Sequence, residues 1–376
     1  MSIEKIVTQA WQRQAVWLWL LLPLSVLYGL LTMLRHHAYK TGLLPSYRAP
    51  VPVMIIGNIT VGGSGKTPLI IALLQHLQQQ GIAVGVISRG YGGDSRQMPT
   101  LVHNHSLPAS VGDEPCLIVD STGAPMAVSP NRQHAITTLL EAYPNLQLII
   151  ADDGLQHYAL QRDIEWIVVD ADRGFGNQQL LPTGFLREPL TRLKNATIIF
   201  HEKPHSLSPY EPILESYLKS APPLTMQLQP DHLEHLWQPI SAPAQQTCRL
   251  PITGDSVHAV SGIGYPQRFF DTLTELGFIV IPHPYPDHYA FTIEDLLLYQ
   301  EHPIIVTSKD AVKIRALLEQ AGAEAALHSD YIELINRLWV LPVTAVLSES
   351  CFEDLRQQLK RLNIISKSVL NKVSLS

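Results

Sequence analysis

A chain of 376 residues has room for two or three domains, and with 46% apolar and 16% charged residues it can bury a large core. Its net charge of -6 argues against general nucleic-acid binding, which needs a basic face. Cys116, Cys248 and Cys351 are scattered too widely for a disulfide framework or a zinc site, which fits a reducing compartment.

Residues 15–34 read AVWLWLLLPLSVLYGLLTML and carry no charge, a stretch long enough to span the hydrocarbon of a bilayer. The run is too long for a signal peptide, and no small-residue cleavage site follows it. Pro23 is expected to kink or break the helix. Ser25, Gly29 and Thr32 form one small, faintly polar stripe, expected to pack on the protein while Trp17, Trp19 and the leucines face lipid. Arg35, His36, His37 and Lys40 outweigh Arg13 on the other flank, which places the main body in the cytoplasm. A buried core helix is the competing reading of the same composition.

Strand-like runs then alternate with helical patterns: strands at 51–56, 82–88, 125–128, 146–151, 164–170 and 196–200, helices at 68–80 and 131–142. Such alternation predicts an α/β fold, a mainly parallel sheet with helices on both faces and ligands at the carboxyl ends of the strands. Periodicity fades from 201 to 251. A smaller second α/β block follows, with strands at 257–260, 279–281 and 303–306 and a helix at 266–276, then a helical pattern at 351–362 and a polar end. The expected division is an anchoring helix at 1–40, a P-loop core at 41–204, a connector at 205–250, a second α/β domain at 251–348 and an extension at 349–376.

The first strand leads into Thr60-Val61-Gly62-Gly63-Ser64-Gly65-Lys66-Thr67, and a helix follows. Strand, glycine loop, then helix with Gly-Lys-Thr is the context a P-loop requires. Glycines let backbone N–H groups converge on phosphate oxygens, and the helix N-terminus adds its positive dipole end. Lys66 is expected on the β- and γ-phosphates and the Thr67 hydroxyl on Mg²⁺. Thr60 stands where the common pattern has its first glycine, with Gly62 and Gly63 nearby. A glycine-rich turn with a chance Lys-Thr would share the composition but not the flanking strand and helix.

Further along, an apolar strand ends in Asp152-Asp153, two hard-oxygen donors of the kind Mg²⁺ prefers. The acidic turn Gly112-Asp113-Glu114-Pro115 offers a carboxylate able to orient a hydroxyl and take its proton, and Asp287-His288 sets a carboxylate beside an imidazole. Arg132 and Arg187 are candidate phosphate forks. Each of these also occurs as an ordinary surface or structural residue. Ser308-Lys309-Asp310 fails the spacing of a guanine-reading motif, which argues against a GTPase.

Taken in order, these stretches resemble the tetraacyldisaccharide 4'-kinase family, the lipid A 4'-kinases of Gram-negative inner membranes. The matching runs include Gly57-Asn58-Ile59-Thr60 through Thr67-Pro68, Ser88-Arg89-Gly90-Tyr91-Gly92-Gly93, Gly112-Asp113-Glu114-Pro115 and Asp152-Asp153-Gly154-Leu155-Gln156-His157. They continue with Leu181-Pro182-Thr183-Gly184, Leu186-Arg187-Glu188, Asp287-His288 and Lys309-Asp310-Ala311-Val312-Lys313. The resemblance spans roughly residues 15 to 345, and in it Thr60 is the family's own form of the loop. It implies transfer of the ATP γ-phosphoryl group to the 4'-hydroxyl of a tetraacyl glucosamine disaccharide 1-phosphate. It implies Asp113 as general base, His288 tuning it, Asp152, Asp153 and Glu114 toward Mg²⁺, and Gln156, Arg132 and Arg187 as site residues of undivided roles. The implied partners are the acylated acceptor and the bilayer at the cytoplasmic face of a bacterial inner membrane, with no nucleic acid and no obligate protein partner. A membrane-tethered P-loop ATPase or switch acting on a protein stays as the alternative.

Overall fold

The computed structural model describes residues 15–202, 223–237, 249–325 and 329–365, together with Val7, Ala10, Trp11 and Arg13. Much of the expected connector at 205–250, Cys248 included, lies outside the described residues, as does 366–376 of the expected extension. The chain divides into two compact units. One comprises Met1–Arg89, Ala124–Leu228 and Ala345–Ser376; the other comprises Gly90–Gly123 and Gln229–Thr344. By sequence the segment 90–123 lies between two core strands, 82–88 and 125–128, and so falls inside the expected 41–204 core.

In the first unit the strand order is Val343–Leu347, Leu224–Pro230, Thr197–Glu202, Ile164–Asp170, Val53–Gly57, Leu148–Asp152, Val84–Ser88, Met126–Val128. From Leu224–Pro230 to Met126–Val128 every neighbouring pair is parallel. Val53–Gly57 and Leu148–Asp152 are buried along their whole length, which is why they read as continuous apolar runs. In register, Ile56 pairs with Asp152. Parallel pairing therefore brings Asp152 and Asp153 to the same sheet edge at which the glycine loop begins. The helix Lys66–Gln79 buries Leu69, Ile70, Leu73, Leu74 and Leu77, and Gly81 just beyond it takes φ +74°.

The helix Glu349–Arg361, assigned by sequence to an extension at 349–376, belongs to this unit. Cys351, Leu355 and Leu359 fall at helical spacing and are buried. Gln358 accepts from Trp166 Nε1 at 3.0 Å and donates to Thr197 Oγ1 at 2.8 Å, while Phe352 stacks on His76 with ring centroids 4.2 Å apart.

At the N-terminus a 3-10 turn, Val16–Leu21, precedes the helix Leu22–Lys40. The apolar run is broken next to Pro23, where the 3-10 turn gives way to the α-helix, and Pro23 sits in that helix's first turn, where a missing N–H costs little. Residues Val16–Lys40 are long and apolar enough to cross a membrane. Leu20, Val26, Leu27, Leu31 and Met33 are each more than half exposed, whereas Ser25 is buried. The small-residue stripe faces the protein, as its composition implies.

In the second unit the order is Ile279–Pro284, Ser256–Ser261, Ile304–Thr307, Leu338–Leu341, Glu234–His235, parallel except for the last pair. One core gathers Val260, Leu296, Ile304, Val306, Ile314, Leu334 and Leu338. The helix Asp113–Thr122 packs against the helix Ser308–Ala325, so the acidic turn and the Thr307-Ser308-Lys309-Asp310 corner lie side by side.

Candidate active site

The glycine loop of the first unit is shaped by contacts on three sides. Gly65 takes φ +87°, and a Cβ there would lie 2.8 Å from Met226 Cε and 3.0 Å from His201 Nδ1. His201 is itself buried, and its Nδ1–H donates to the Ser64 carbonyl at 3.0 Å. Gly62 takes φ +101°, and a Cβ there would meet Arg173 Nη1 at 2.5 Å. Arg173 donates to the Val61 carbonyl at 2.6 Å and lies over the Phe185 ring. Thr60 bridges to Leu186 in antiparallel fashion, with Val61 N–H on the Phe185 carbonyl at 2.8 Å. A Cβ on Gly63 would meet nothing within 4 Å. His201 and Arg173 were not indicated by motif. Each stands at or just beyond the carboxyl end of a parallel strand, the end where ligands collect, and that position is the signal that finds them.

Lys66 Nζ donates to Asn58 Oδ1 at 3.1 Å and pairs with Asp153 Oδ1 at 3.4 Å. Arg187 Nη1 pairs with the other Asp153 oxygen at 3.1 Å. One carboxylate thus holds two cations at the loop. Burial raises the Asp153 carboxyl, yet Lys66 and Arg187 outweigh it and leave it below the ordinary range. Asp152 is buried and accepts from Ser88 Oγ at 3.1 Å. Thr67 is the second residue of the helix and is half-buried.

Arg132 and Gln156 face the same strand ends in bracing roles. Arg132 is buried, with Nη2 on the Asp152 carbonyl at 2.9 Å and Nη1 on the Ser129 carbonyl at 3.4 Å. Burial pulls its guanidinium down from the ordinary value, and Asp152 and Asp153 oppose that. Gln156 Nε2 reaches the Asn58 carbonyl at 3.2 Å and Glu188 Oε1 at 2.9 Å. Glu188 is buried and also receives Tyr158 OH at 2.6 Å. His157 falls to about 4, first through burial and then through Arg132, Arg162, Arg35 and Arg89. That cationic field favours an anion.

Thr67, Asp152 and Asp153 supply hard oxygen donors of the kind Mg²⁺ takes. Among the described residues no group of three or more His, Cys, Asp or Glu side chains forms a metal cage. A Mg²⁺ site built on one or two carboxylates plus substrate phosphates needs none. The donor set fits the ion. Glu114, named with these residues from the sequence, is a residue of the second unit, where it pairs with Lys309.

In the second unit Asp113 opens the helix Asp113–Thr122 after Gly112 at φ +99°. A Cβ on Gly112 would sit 2.6 Å from the Tyr91 carbonyl, so glycine lets the 90–93 turn lie against it. The buried Asp113 carboxylate receives Glu114 N–H at 2.9 Å and the His288 Nδ1 at 3.1 and 3.0 Å. His288 takes φ +58°, its N–H on the Gly262 carbonyl at 3.1 Å, and its ring lies 4.8 Å from Tyr91. Lys309 Nζ gathers Glu114 at 3.2 Å, Asp287 at 3.2 Å, His288 Nε2 at 3.3 Å and Asp113 at 4.0 Å.

Burial would raise the Asp113 carboxyl, but the His288 hydrogen bond and the Lys309 charge hold it below the usual carboxylate range. Burial would lower His288, and its bond to Asp113 outweighs that and raises it. Lys309 is raised despite burial, because Glu114, Asp113 and Asp287 surround it. The first unit is built to bind a polyphosphate. The second holds an ionised, oriented carboxylate able to receive a proton.

Comparisons with known proteins show the family and the fold. The family model for tetraacyldisaccharide-1-P 4'-kinase matches residues 17–360. The tetraacyldisaccharide 4'-kinase of Psychrobacter cryohalolentis is 69% identical over 366 residues, covering 97% of this chain and 98% of that protein. That of Methylobacillus flagellatus is 40% identical over 367 residues, covering 96% and 98%. The crystal structure of the "apo" form of LpxK from Aquifex aeolicus in complex with ATP shares the fold at a TM-score of 0.66, with 24% identity and coverage of 91% and 98%.

Proposed function

The chain belongs to the tetraacyldisaccharide-1-P 4'-kinase family and is a kinase of lipid A biosynthesis, and on that premise we propose how its residues divide the transfer. The γ-phosphoryl group of ATP passes to the 4'-hydroxyl of tetraacyldisaccharide 1-phosphate. A bond forms between the 4'-oxygen and γ-phosphorus, the bond to the β–γ bridging oxygen breaks, ADP leaves, and the hydroxyl proton goes to Asp113.

Loop 60–67 holds the phosphates through its backbone N–H groups, with Gly62 and Gly65 in conformations that glycine adopts without strain. Lys66 and Arg187 exchange Asp153 for phosphoryl oxygens and stabilise the charge that spreads over them in the transition state. Arg132 and Gln156 hold the Asp152 and Asn58 carbonyls and so fix the loop's surroundings. Thr67, Asp152 and Asp153 would hold Mg²⁺, which when bound neutralises phosphate oxygens. Glu114 keeps Lys309 in place beside Asp113 and His288.

Asp113 receives the acceptor hydroxyl. A carboxylate is a weak base, but its charge orients the hydroxyl and takes the proton as the new bond forms. The observation that carries this assignment is the buried Asp113 carboxylate held by His288 Nδ1 at 3.0 Å.

The exposed apolar face of the N-terminal helix lies in the bilayer, and the basic residues that follow it set the body at the cytoplasmic face of the inner membrane. An acceptor with four acyl chains partitions into that membrane, so confinement of both raises their effective concentration. The partners are the acceptor lipid and the bilayer, with no nucleic acid and no obligate protein. Incubation with labelled ATP and tetraacyldisaccharide 1-phosphate tests the reading. Label in the lipid is expected; ATP hydrolysis with no labelled lipid would overturn it.

A further inference from the structure

We propose that Ser25 and Tyr28, on the protein-facing side of the membrane helix, are positioning residues for phosphoryl transfer: they seat that helix on the segment that braces the phosphate loop. The inference rests on the kinase reading above and assigns it two further residues.

Ser25 is the one buried residue of Leu22–Lys40. Its Oγ lies 2.8 Å from Thr183 Oγ1 and 3.0 Å from the Leu180 carbonyl, and it accepts the Thr183 N–H at 2.9 Å. Buried hydroxyls cost free energy unless they are bonded, so this cluster selects one seat for the helix. One turn on, Tyr28 OH donates to the Arg187 carbonyl at 2.9 Å. Gly29 completes the seat, since a Cβ there would meet Leu180 Cδ1 at 2.8 Å.

The same segment reaches the nucleotide side. Arg187 N–H donates to the Ile59 carbonyl at 2.7 Å and Val61 N–H to the Phe185 carbonyl at 2.8 Å. The Arg187 side chain pairs with Asp153 at 3.1 Å, and Asp153 pairs with Lys66 at 3.4 Å. Tyr28 therefore holds the carbonyl of the residue whose N–H steadies the loop and whose guanidinium shares the Asp153 carboxylate with Lys66. A helix moved off its seat disturbs Arg187 at both ends. Turnover at full rate then belongs to the enzyme with its helix seated, in addition to any gain from meeting the lipid.

The test uses the full chain in mixed detergent micelles saturated with acceptor. Tyr28→Phe and Ser25→Ala are expected to lower kcat about tenfold, in line with losing a hydrogen bond of roughly 1 kcal/mol or a little more. KM for the lipid and pelleting with vesicles stay at the wild-type level. Leu24→Ala, on the exposed face of the same helix, is expected to keep kcat at saturation. Rates are expressed per nucleotide-binding site, so partial unfolding does not mimic the effect. Wild-type kcat in Tyr28→Phe, or a loss that appears only as lipid release or raised KM, overturns the proposal. Should Ser25→Ala fail to fold, Tyr28→Phe decides alone. A wild-type enzyme that labels no lipid refutes the kinase reading and is thereby distinguished from failure of this one.

Discussion

His288 Nδ1 faces both carboxylate oxygens of Asp113, at 3.1 and 3.0 Å, while Lys309 Nζ stands 3.3 Å from its Nε2. Lys309 is held cationic by Glu114, Asp113 and Asp287. When the ring is neutral, Lys309 donates to Nε2, and the imidazole proton sits on Nδ1 and is donated to Asp113. The ring orients the base without cancelling its charge. A protonated ring would lose the Lys309 contact and pull Asp113 lower still.

That arrangement sets a pH dependence. The folded pKa of His288 is raised, so the stability it contributes is fully present below its unfolded value of 6.5 and is lost as pH rises through the folded value. Activity runs the other way, rising as pH passes the raised folded value and the ring becomes neutral. A kcat profile should show that rising limb, and His288→Asn should remove it and lower the plateau about tenfold to a hundredfold. An unchanged limb in His288→Asn would assign it to another group.

Lys66→Ala should lower turnover about a hundredfold to a thousandfold, the scale for removing one preorganised charge from a developing oxyanion. Steady-state transfer of labelled phosphate measures it. Retained activity would remove Lys66 from the mechanism.

Gly65→Ala places a side chain at φ +87° and against Met226 and His201. Left-handed backbone alone costs about 1–2 kcal/mol for a non-glycine residue, so nucleotide Kd should rise tenfold or more. Calorimetric titration with ATP reads it directly. The neighbouring Gly63→Ala, where nothing stands within 4 Å, should bind near the wild-type level.

Leu27→Glu together with Leu31→Glu puts two charges on the exposed face of the N-terminal helix. Each costs about 2.5–3.5 kcal/mol near a helix centre in a membrane, enough to release the protein to the soluble fraction. Flotation with vesicles checks this. A doubly charged variant that still floats means that other surfaces hold the bilayer.

Much of this was legible in the sequence because the relevant signals are local. The glycine loop sits between an apolar strand and a capped helix. The Asp152–Asp153 pair ends a strand, and Ser25, Gly29 and Thr32 share one helix face. Less visible were the relations that only folding creates. Nothing in the run from Gly90 to Gly123 announces that it groups with residues 229–344, because it lies in sequence between two strands of the first unit. Lys309 appears in a motif, yet its pairing with Glu114, Asp287 and His288 depends on two helices packing side by side. His201 and Arg173 carry no motif, and their bearing on the loop follows from strand order. The family resemblance points Glu114 toward the metal, while its contact with Lys309, 195 positions away in the chain, is one that only folding creates.

In this mechanism Asp113 takes the acceptor proton. A single-turnover measurement of phosphate transfer from labelled ATP to tetraacyldisaccharide 1-phosphate, comparing wild type with Asp113→Asn, tests it most directly. Transfer slowed by about a hundredfold to ten-thousandfold is expected, with ATP affinity retained. Transfer at the wild-type rate in the folded variant would contradict it.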